Sequence, residues 1–404
     1  MSERTVRLAE IARVFLKIGA MSYGRPAIMG IIQTEIQEKR GWISKPEFVE
    51  GLALVNMLPG PGATQLGIFI GHAKAGLAGG IVAGVCFVLP AFLIMLALAA
   101  AYVAFGTLPS MRNAFYGIGP VVVGIFAASV YRLGKGTIRE SSQIAIAVVA
   151  AIVMYFAPIG LVMPLMLAGC VGITLFDWRR TGLIAFSVLV GVFGTYDLAD
   201  TFLTHLIMPT TDLPQRSNTT SPSLWELATF FLKVGAFTFG GGLSMLAFIQ
   251  EQVVNQFNWL TPKEFVDGLA LGQLTPGPIL MLAAFIGFKL AGATGAAVAG
   301  SAIFLPSFLM MLSVLPLLRK LKNPQWLRAF MRGVGPAVIG ALAVSLVQMA
   351  PHAAPDIFAW ILLALTIGII LLCNVGPLPI IAAGGVIGLL SRGNVLKRLE
   401  EFVR

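Results

Sequence analysis

No charged residue interrupts the stretch from Gly76 to Phe105, and the runs Gly117 to Tyr131, Ile144 to Phe156 and Ile357 to Cys373 are uncharged too. A helix needs roughly 20 mainly apolar residues to cross a bilayer, and in hydrocarbon only a helix or a closed barrel satisfies its own backbone. The chain as a whole is 57% hydrophobic and 11% charged, against about a quarter charged for a soluble domain. These observations predict an all-α polytopic membrane protein.

The chain also repeats itself. Phe15-Leu-Lys-Ile-Gly-Ala returns as Phe231-Leu-Lys-Val-Gly-Ala, and Glu47-Phe-Val-Glu-Gly-Leu-Ala-Leu as Glu264-Phe-Val-Asp-Gly-Leu-Ala-Leu. Pro59-Gly60-Pro61 matches Pro276-Gly277-Pro278, Pro90 matches Pro306, and Arg112 to Gly124 matches Arg328 to Gly340. An offset held near about 216 residues marks two homologous halves. The predicted organisation is one repeat over 1–180, a linking span and polar linker over 181–223, and a second repeat over 224–404.

Charges in matched loops predict how the halves are oriented. The loop before Arg112 is nearly uncharged, whereas its counterpart holds Arg319, Lys320 and Lys322; the next loop holds Arg132, Lys135 and Arg139 in the first half but only His352 and Asp356 in the second. Basic residues favour the cytoplasmic side, so this swap predicts an inverted repeat, with the apolar stretch Thr181 to Tyr196 as the extra span that turns the second half over. Under that topology Arg392, Lys397 and Arg398 stay inside only if Val375 to Leu390 is re-entrant.

Two kinds of helix break recur in both halves. Glu47 to Leu58 and Thr64 to Lys74 are too short to cross lipid, and Pro59-Gly60-Pro61 separates them, so they predict a re-entrant hairpin whose second helix opens at Pro61 or, in the other half, at Pro278. Such an N-terminus leaves N–H groups unpaired and carries about half a positive charge, which an anion or water resolves; the bland alternative is a plain proline kink. The second break is Ser22-Tyr23-Gly24-Arg25-Pro26 and its counterpart Thr238-Phe239-Gly240-Gly241-Gly242. The predicted anion-binding residues are therefore Pro59, Gly60, Pro61, Pro276, Gly277 and Pro278, with Asn56, Thr64, Gln65, Gln273 and Thr275 flanking them and Arg25, Lys17 and Lys233 supplying charge. Each cation has a bland alternative, an ion pair or a snorkelling side chain. Matched carboxylates Glu35 and Glu251 are candidates for proton coupling, or else ordinary interfacial groups; Glu50 and Asp267 are matched as well.

The net charge of +10 comes from clusters at segment ends, a topology signal with no basic surface for nucleic acid. Cys86, Cys170 and Cys373 lie in apolar segments without metal or redox spacing, and only three histidines exist, so no metal, cofactor or enzymatic activity is expected. Met1 to Lys17 lacks the pattern of a removable signal.

The duplicated FLKxGA segment, the glycine-rich break, Trp42 and Trp259 ahead of Glu47-Phe and Glu264-Phe, the Pro-Gly-Pro hairpin and the Phe-x-Leu-Pro run resemble the chromate ion transporter family in its long, two-domain form. The resemblance implies a multi-pass protein of the bacterial inner membrane that exports chromate and confers chromate resistance, driven by membrane potential with or without proton exchange. Tyr23-Gly24-Arg25-Pro26 and Met29 stand where the family usually has Phe-Gly-Gly-Pro and a histidine, and Asn56 where a glutamine is usual. The cargo stays open between chromate and sulfate, molybdate or another tetrahedral oxyanion, imported or exported, and a non-transporting membrane sensor is the rival from another class. The expected partners are the anion and membrane lipid, with a homodimer one assembly expected for a membrane protein of this size.

Overall fold

The structure is a computed structural model; it describes residues 7–22, 25–156, 162–177, 182–184, 186–187, 222–238, 242–318, 325–373 and 375–392. In chain order the helices are α1 (Leu8–Met21), α2 (Arg25–Ile32) running into a π-helical turn (Gln33–Glu38), α3 (Lys45–Met57), α4 (Gly62–Phe105), α5 (Pro109–Thr137), α6 (Ser141–Phe156) and α7 (Val162–Phe176). The second half continues with α8 (Leu224–Ala236), α9 (Ser244–Gln250) and its π-helical turn (Glu251–Gln256), α10 (Pro262–Leu274), a 3-10 turn (Ile279–Met281), α11 (Leu282–Leu318), α12 (Gln325–Ala353), α13 (Ile357–Cys373) and α14 (Pro377–Arg392). The order of elements repeats, π-helical turns included. Compactness divides the chain differently: one unit takes Met1–Leu133, Pro222–Leu321 and Ser345–Arg404, the other Gly134–Ser221 and Lys322–Val344.

Within the larger unit, short-range chemistry sets the helix starts. Ser44 with Glu47, Ser223 with Glu226 and Thr261 with Glu264 form capping boxes at α3, α8 and α10, each satisfying two otherwise unpaired donors. Both long helices α4 and α11 are broken near their starts. Ala75 and Gly76 sit at φ −143°, ψ 29° and φ 59°, ψ −152°, and Ala291 and Gly292 repeat these values within a few degrees. At each break the chain doubles back, with Gly71 against Gly79 and Gly287 against Gly295 so close that a Cβ on any of them would strike the opposing carbonyl. The arm 62–74 is therefore the return limb of a hairpin begun by α3, and 77–105 is the membrane-crossing helix.

The same unit shows that the halves are inverted. A Cβ on Gly80 would touch Leu312, one on Gly84 would touch Phe308, and one on Gly300 would touch Phe92. Numbers rise along α4 as they fall along α11, so these equivalent helices pack antiparallel and one half is the other turned over. Aromatic packing repeats as well: Phe69 fills the space beside Gly51 and Phe285 that beside Gly268, with Phe15, Phe69, Phe231, Phe265 and Phe285 all fully buried.

Four helices among the described residues are long and apolar enough to cross a membrane: Gly62–Phe105, Pro109–Thr137, Ile279–Ser313 and Gln325–Ala353; four shorter ones are also apolar. Leu77, Ile81, Val85, Leu89 and Leu93 recur every fourth residue on α4 and are all exposed. An outward apolar stripe of this kind inverts the pattern of a water-soluble helix and faces lipid.

In the smaller unit, α6, α7 and the 325–344 part of α12 pack through small residues. Gly172 lies against Gly333, and Gly340 against Ala147, the close approach that helices use when burial from water no longer drives association. Arg332 pairs with Glu140 and stacks its guanidinium 4.0 Å from the Phe176 ring centre. The expected span Thr181 to Tyr196 and the polar linker lie outside the described residues apart from helical pieces at 182–184 and 186–187 and the last two linker residues, 222–223, as do Lys397 and Arg398.

Candidate functional site

Pro59-Gly60-Pro61 joins α3 to α4 with Gly60 at φ 129°, and Pro276-Gly277-Pro278 leads out of α10 with Gly277 at φ 95°. Few residues other than glycine adopt such angles. The amide of Gly60 donates to the carbonyl of Thr238 at 2.6 Å, and that of Gly277 to the carbonyl of Ser22 at 2.8 Å. Ser22 and Thr238 follow the last turns of α1 and α8, and their hydroxyls donate back to Ile18 at 2.5 Å and to Val234 at 2.6 Å. Each hairpin tip is thus tied to the broken helix of the other half, and all four sequence breaks meet in two crossed pairs.

Around the first hairpin the chemistry is polar and unsatisfied. Pro61 caps α4 without a side-chain bond, which leaves first-turn donors open. Thr64, Gln65 and Ser307 are fully buried, and Thr64 Oγ1, Gln65 Oε1 and Ser307 Oγ have no hydrogen-bond partner. Gln65 Nε2 donates to the Pro59 carbonyl at 2.6 Å. A Cβ on Gly60 would run into both Ser307 Oγ and Gln65 Nε2, which puts these groups at the hairpin tip. Unpaired buried polar atoms cost about 1–3 kcal/mol each, so this cluster is built for something other than stability.

The second hairpin is dry by comparison. Buried Leu280, Met281 and Leu282 follow Pro278, Thr275 bonds its own helix at Gly272 over 2.9 Å, and Ala91 stands where Ser307 stands opposite. Gln273 is half-buried in the last turn of α10. The halves have diverged so that, of the two hairpins, the first carries the unpartnered polar groups among the described residues. Ser307 was not among the residues expected from sequence; the signal available there was its place after the repeated proline, where the first half has Ala91.

The remaining expected residues lie as follows. Arg25 opens α2 and Asn56 sits in the last turn of α3, with both side chains outside the described residues. Lys17 pairs with Glu35 at 3.6 Å, and Glu35 also bonds Lys39 and Arg40 at 3.2 Å each. Burial pushes the Glu35 carboxyl up, but the hydrogen bonds from Lys39 and Arg40 and the charge of Lys17 outweigh it and hold it below the usual range. Glu251 accepts from Asn255 at 2.7 Å and Gln256 at 3.5 Å. Lys233 is exposed near the end of α8.

Fold and site together define a multi-pass membrane protein built as an inverted repeat around paired, broken helices, the architecture that transporters place about a central site. The family model for chromate transporters matches residues 9–173 and 225–389, one copy per half. The chain belongs to the chromate transporter family. It is 34% identical to the chromate transport protein of Cupriavidus metallidurans over 96% of this chain and 94% of that one, and 34% identical to a probable chromate transport protein of Synechococcus elongatus over 87% and 86%. A chromate transport protein of Pseudomonas aeruginosa is 29% identical over 83% of this chain and 79% of its own. No solved structure matches the chain.

Proposed function

We propose that this protein exports chromate from the bacterial cytoplasm across the inner membrane, and that the anion passes through the crossed hairpins. The observation that carries the reading is the buried, unpartnered pair of hydroxyls, Thr64 and Ser307, beside the uncapped N-terminus of α4. A tetrahedral dianion needs donors converging from several directions with little excess positive charge, which would trap it. Two hydroxyls and the amides of a helix start provide such a set, joined by the second N–H of Gln65, whose first is held by the Pro59 carbonyl. In this proposal Asn56, Gln273 and Thr275, which flank the two hairpins in sequence, are further anion contacts, and Arg25, the first residue of α2, supplies charge. Relatives named as chromate transport proteins, at 34% identity along nearly the whole chain, support chromate as the cargo.

The membrane potential suffices to drive export. Moving one charge through 100 mV is worth about 2.3 kcal/mol, so a dianion leaving a negative interior gains roughly twice that.

The test is chromate flux into or out of vesicles that contain only the purified protein, under an imposed potential, with sulfate as competitor. Thr64→Val and Ser307→Ala each lower flux while the protein stays folded. Inhibition by sulfate with equal sulfate flux moves the cargo to tetrahedral dianions in general. Absence of flux for either anion under every gradient overturns the reading.

A further inference from the structure

A cleft of about 530 Å³ opens beside α10, away from the Pro-Gly-Pro end of that helix, and Arg112, Asn113, Tyr116, Lys263, Asp267 and His352 are among its lining residues. Asp267 is 4% exposed and accepts a 2.8 Å hydrogen bond from the Tyr102 hydroxyl. Its first-half equivalent, Glu50, is exposed, and Leu318 stands where a second Tyr102 would be. The buried pair is therefore a feature of one half alone, built into the wall of a cleft that Arg112, Lys263 and His352 share with it.

We propose that this cleft is an anion-collecting vestibule and that Asp267, held by Tyr102, is the proton-binding group whose charge decides whether an oxyanion is accepted there. The inference rests on the anion-transport reading and names the proton partner within it. Ionised Asp267 offsets the positive charge of Lys263 in the cleft that Arg112 also lines; once protonated it leaves the basic groups of the cleft to an incoming anion. Linkage then requires that a bound anion raise the proton affinity of Asp267 by the same factor.

The groups around Asp267 fit this role. Tyr102 reaches it from α4 and Lys263 and Glu264 act on it from α10 itself, while Arg112 of α5 and His352 at the end of α12 line the same cleft. Glu264 is occupied by Lys289 of α11 at 3.0 Å, Tyr116 of the same cleft bonds Asp356, and α14 carries no titratable group from Pro377 to Ser391. Burial raises the Asp267 carboxyl to about 6 against the pull of the Tyr102 hydroxyl and Lys263, with Glu264 adding to the rise. Glu35, by contrast, is held ionised by three cations and is a poor proton carrier.

The experiment is calorimetric titration of the purified full-length protein with sulfate, which stays a dianion across the range, at about pH 5 and about pH 8. Sulfate binds about fivefold or more tightly at the lower pH in the wild type. Asp267→Asn binds at both pH values as the wild type does at the lower, and His352→Asn keeps the wild-type pH dependence. In infrared difference spectra, the carbonyl band of a protonated carboxyl group grows as pH falls and is missing in Asp267→Asn. An unchanged pH dependence in Asp267→Asn, or its loss in His352→Asn alone, overturns the inference. Because these readouts need no transport, they fail separately from the flux assay: vesicles without chromate flux sink the function, whereas pH-independent sulfate binding sinks the proton site.

Discussion

The amide of Gly60 is bonded to the carbonyl of Thr238 in the opposite half, 2.6 Å away, and Gly277 repeats the arrangement with Ser22 at 2.8 Å. Neither hairpin tip moves without pulling on the broken helix of the other half. In a protein whose halves are inverted copies, the two bonds tie each hairpin tip to the other half.

Gly60→Ala destabilises the protein by about 2 kcal/mol or more, because φ 129° is strained for any residue with a Cβ and the methyl meets Ser307 and Gln65. Gly277→Ala costs less, since its Cβ meets only the Ala91 methyl, at 3.2 Å. Adding Ser307→Ala to Gly60→Ala recovers part of the loss. Thermal unfolding in detergent, arranged as a double-mutant cycle, measures the coupling.

Thr64→Val and Ser307→Ala should stabilise the resting protein, by up to about 1 kcal/mol each, because each removes a buried hydroxyl that has no partner. The same changes lower chromate flux. Unfolding temperature and transport rate therefore move in opposite directions, a signature that separates a binding role from a structural one.

Gly71→Ala, Gly79→Ala and Gly287→Ala each cost about 1–3 kcal/mol, since the new methyl strikes backbone at the doubled-back arms. Gly30→Ala and Gly368→Ala, at helical positions with open space around them, are neutral or stabilise by about 0.5–1 kcal/mol. Unfolding midpoints across the series rank the sites.

Glu35 contributes pH-dependent stability. Its carboxyl lies below its ordinary value in the folded protein, so the contribution is present above the unfolded value of about 4.3 and is lost as pH falls through the folded one. Glu35→Gln therefore lowers the unfolding temperature at neutral pH and has no effect in strong acid. Raised salt shrinks the neutral-pH difference, because Lys17 and Lys39 are exposed.

The sequence alone determined the membrane class, the two halves, the positions of all four breaks and the expected inversion. Apolar length, proline and glycine act locally, and a duplication is visible as an offset along one dimension. The short helix predicted to end at Lys74 is the arm found there, ahead of the reversal at Ala75 and Gly76. Tertiary structure decided which breaks meet: Gly60 lies far along the chain from Thr238, and nothing in either segment names the other. It also placed Ser307 at the hairpin, and it paired Asp267 with Tyr102 while leaving the matched Glu50 in the open. The two halves repeat the same motifs, and the differences between them, such as Ser307 against Ala91 and Tyr102 against Leu318, take on meaning only in the packed fold, where contacts join residues remote in sequence.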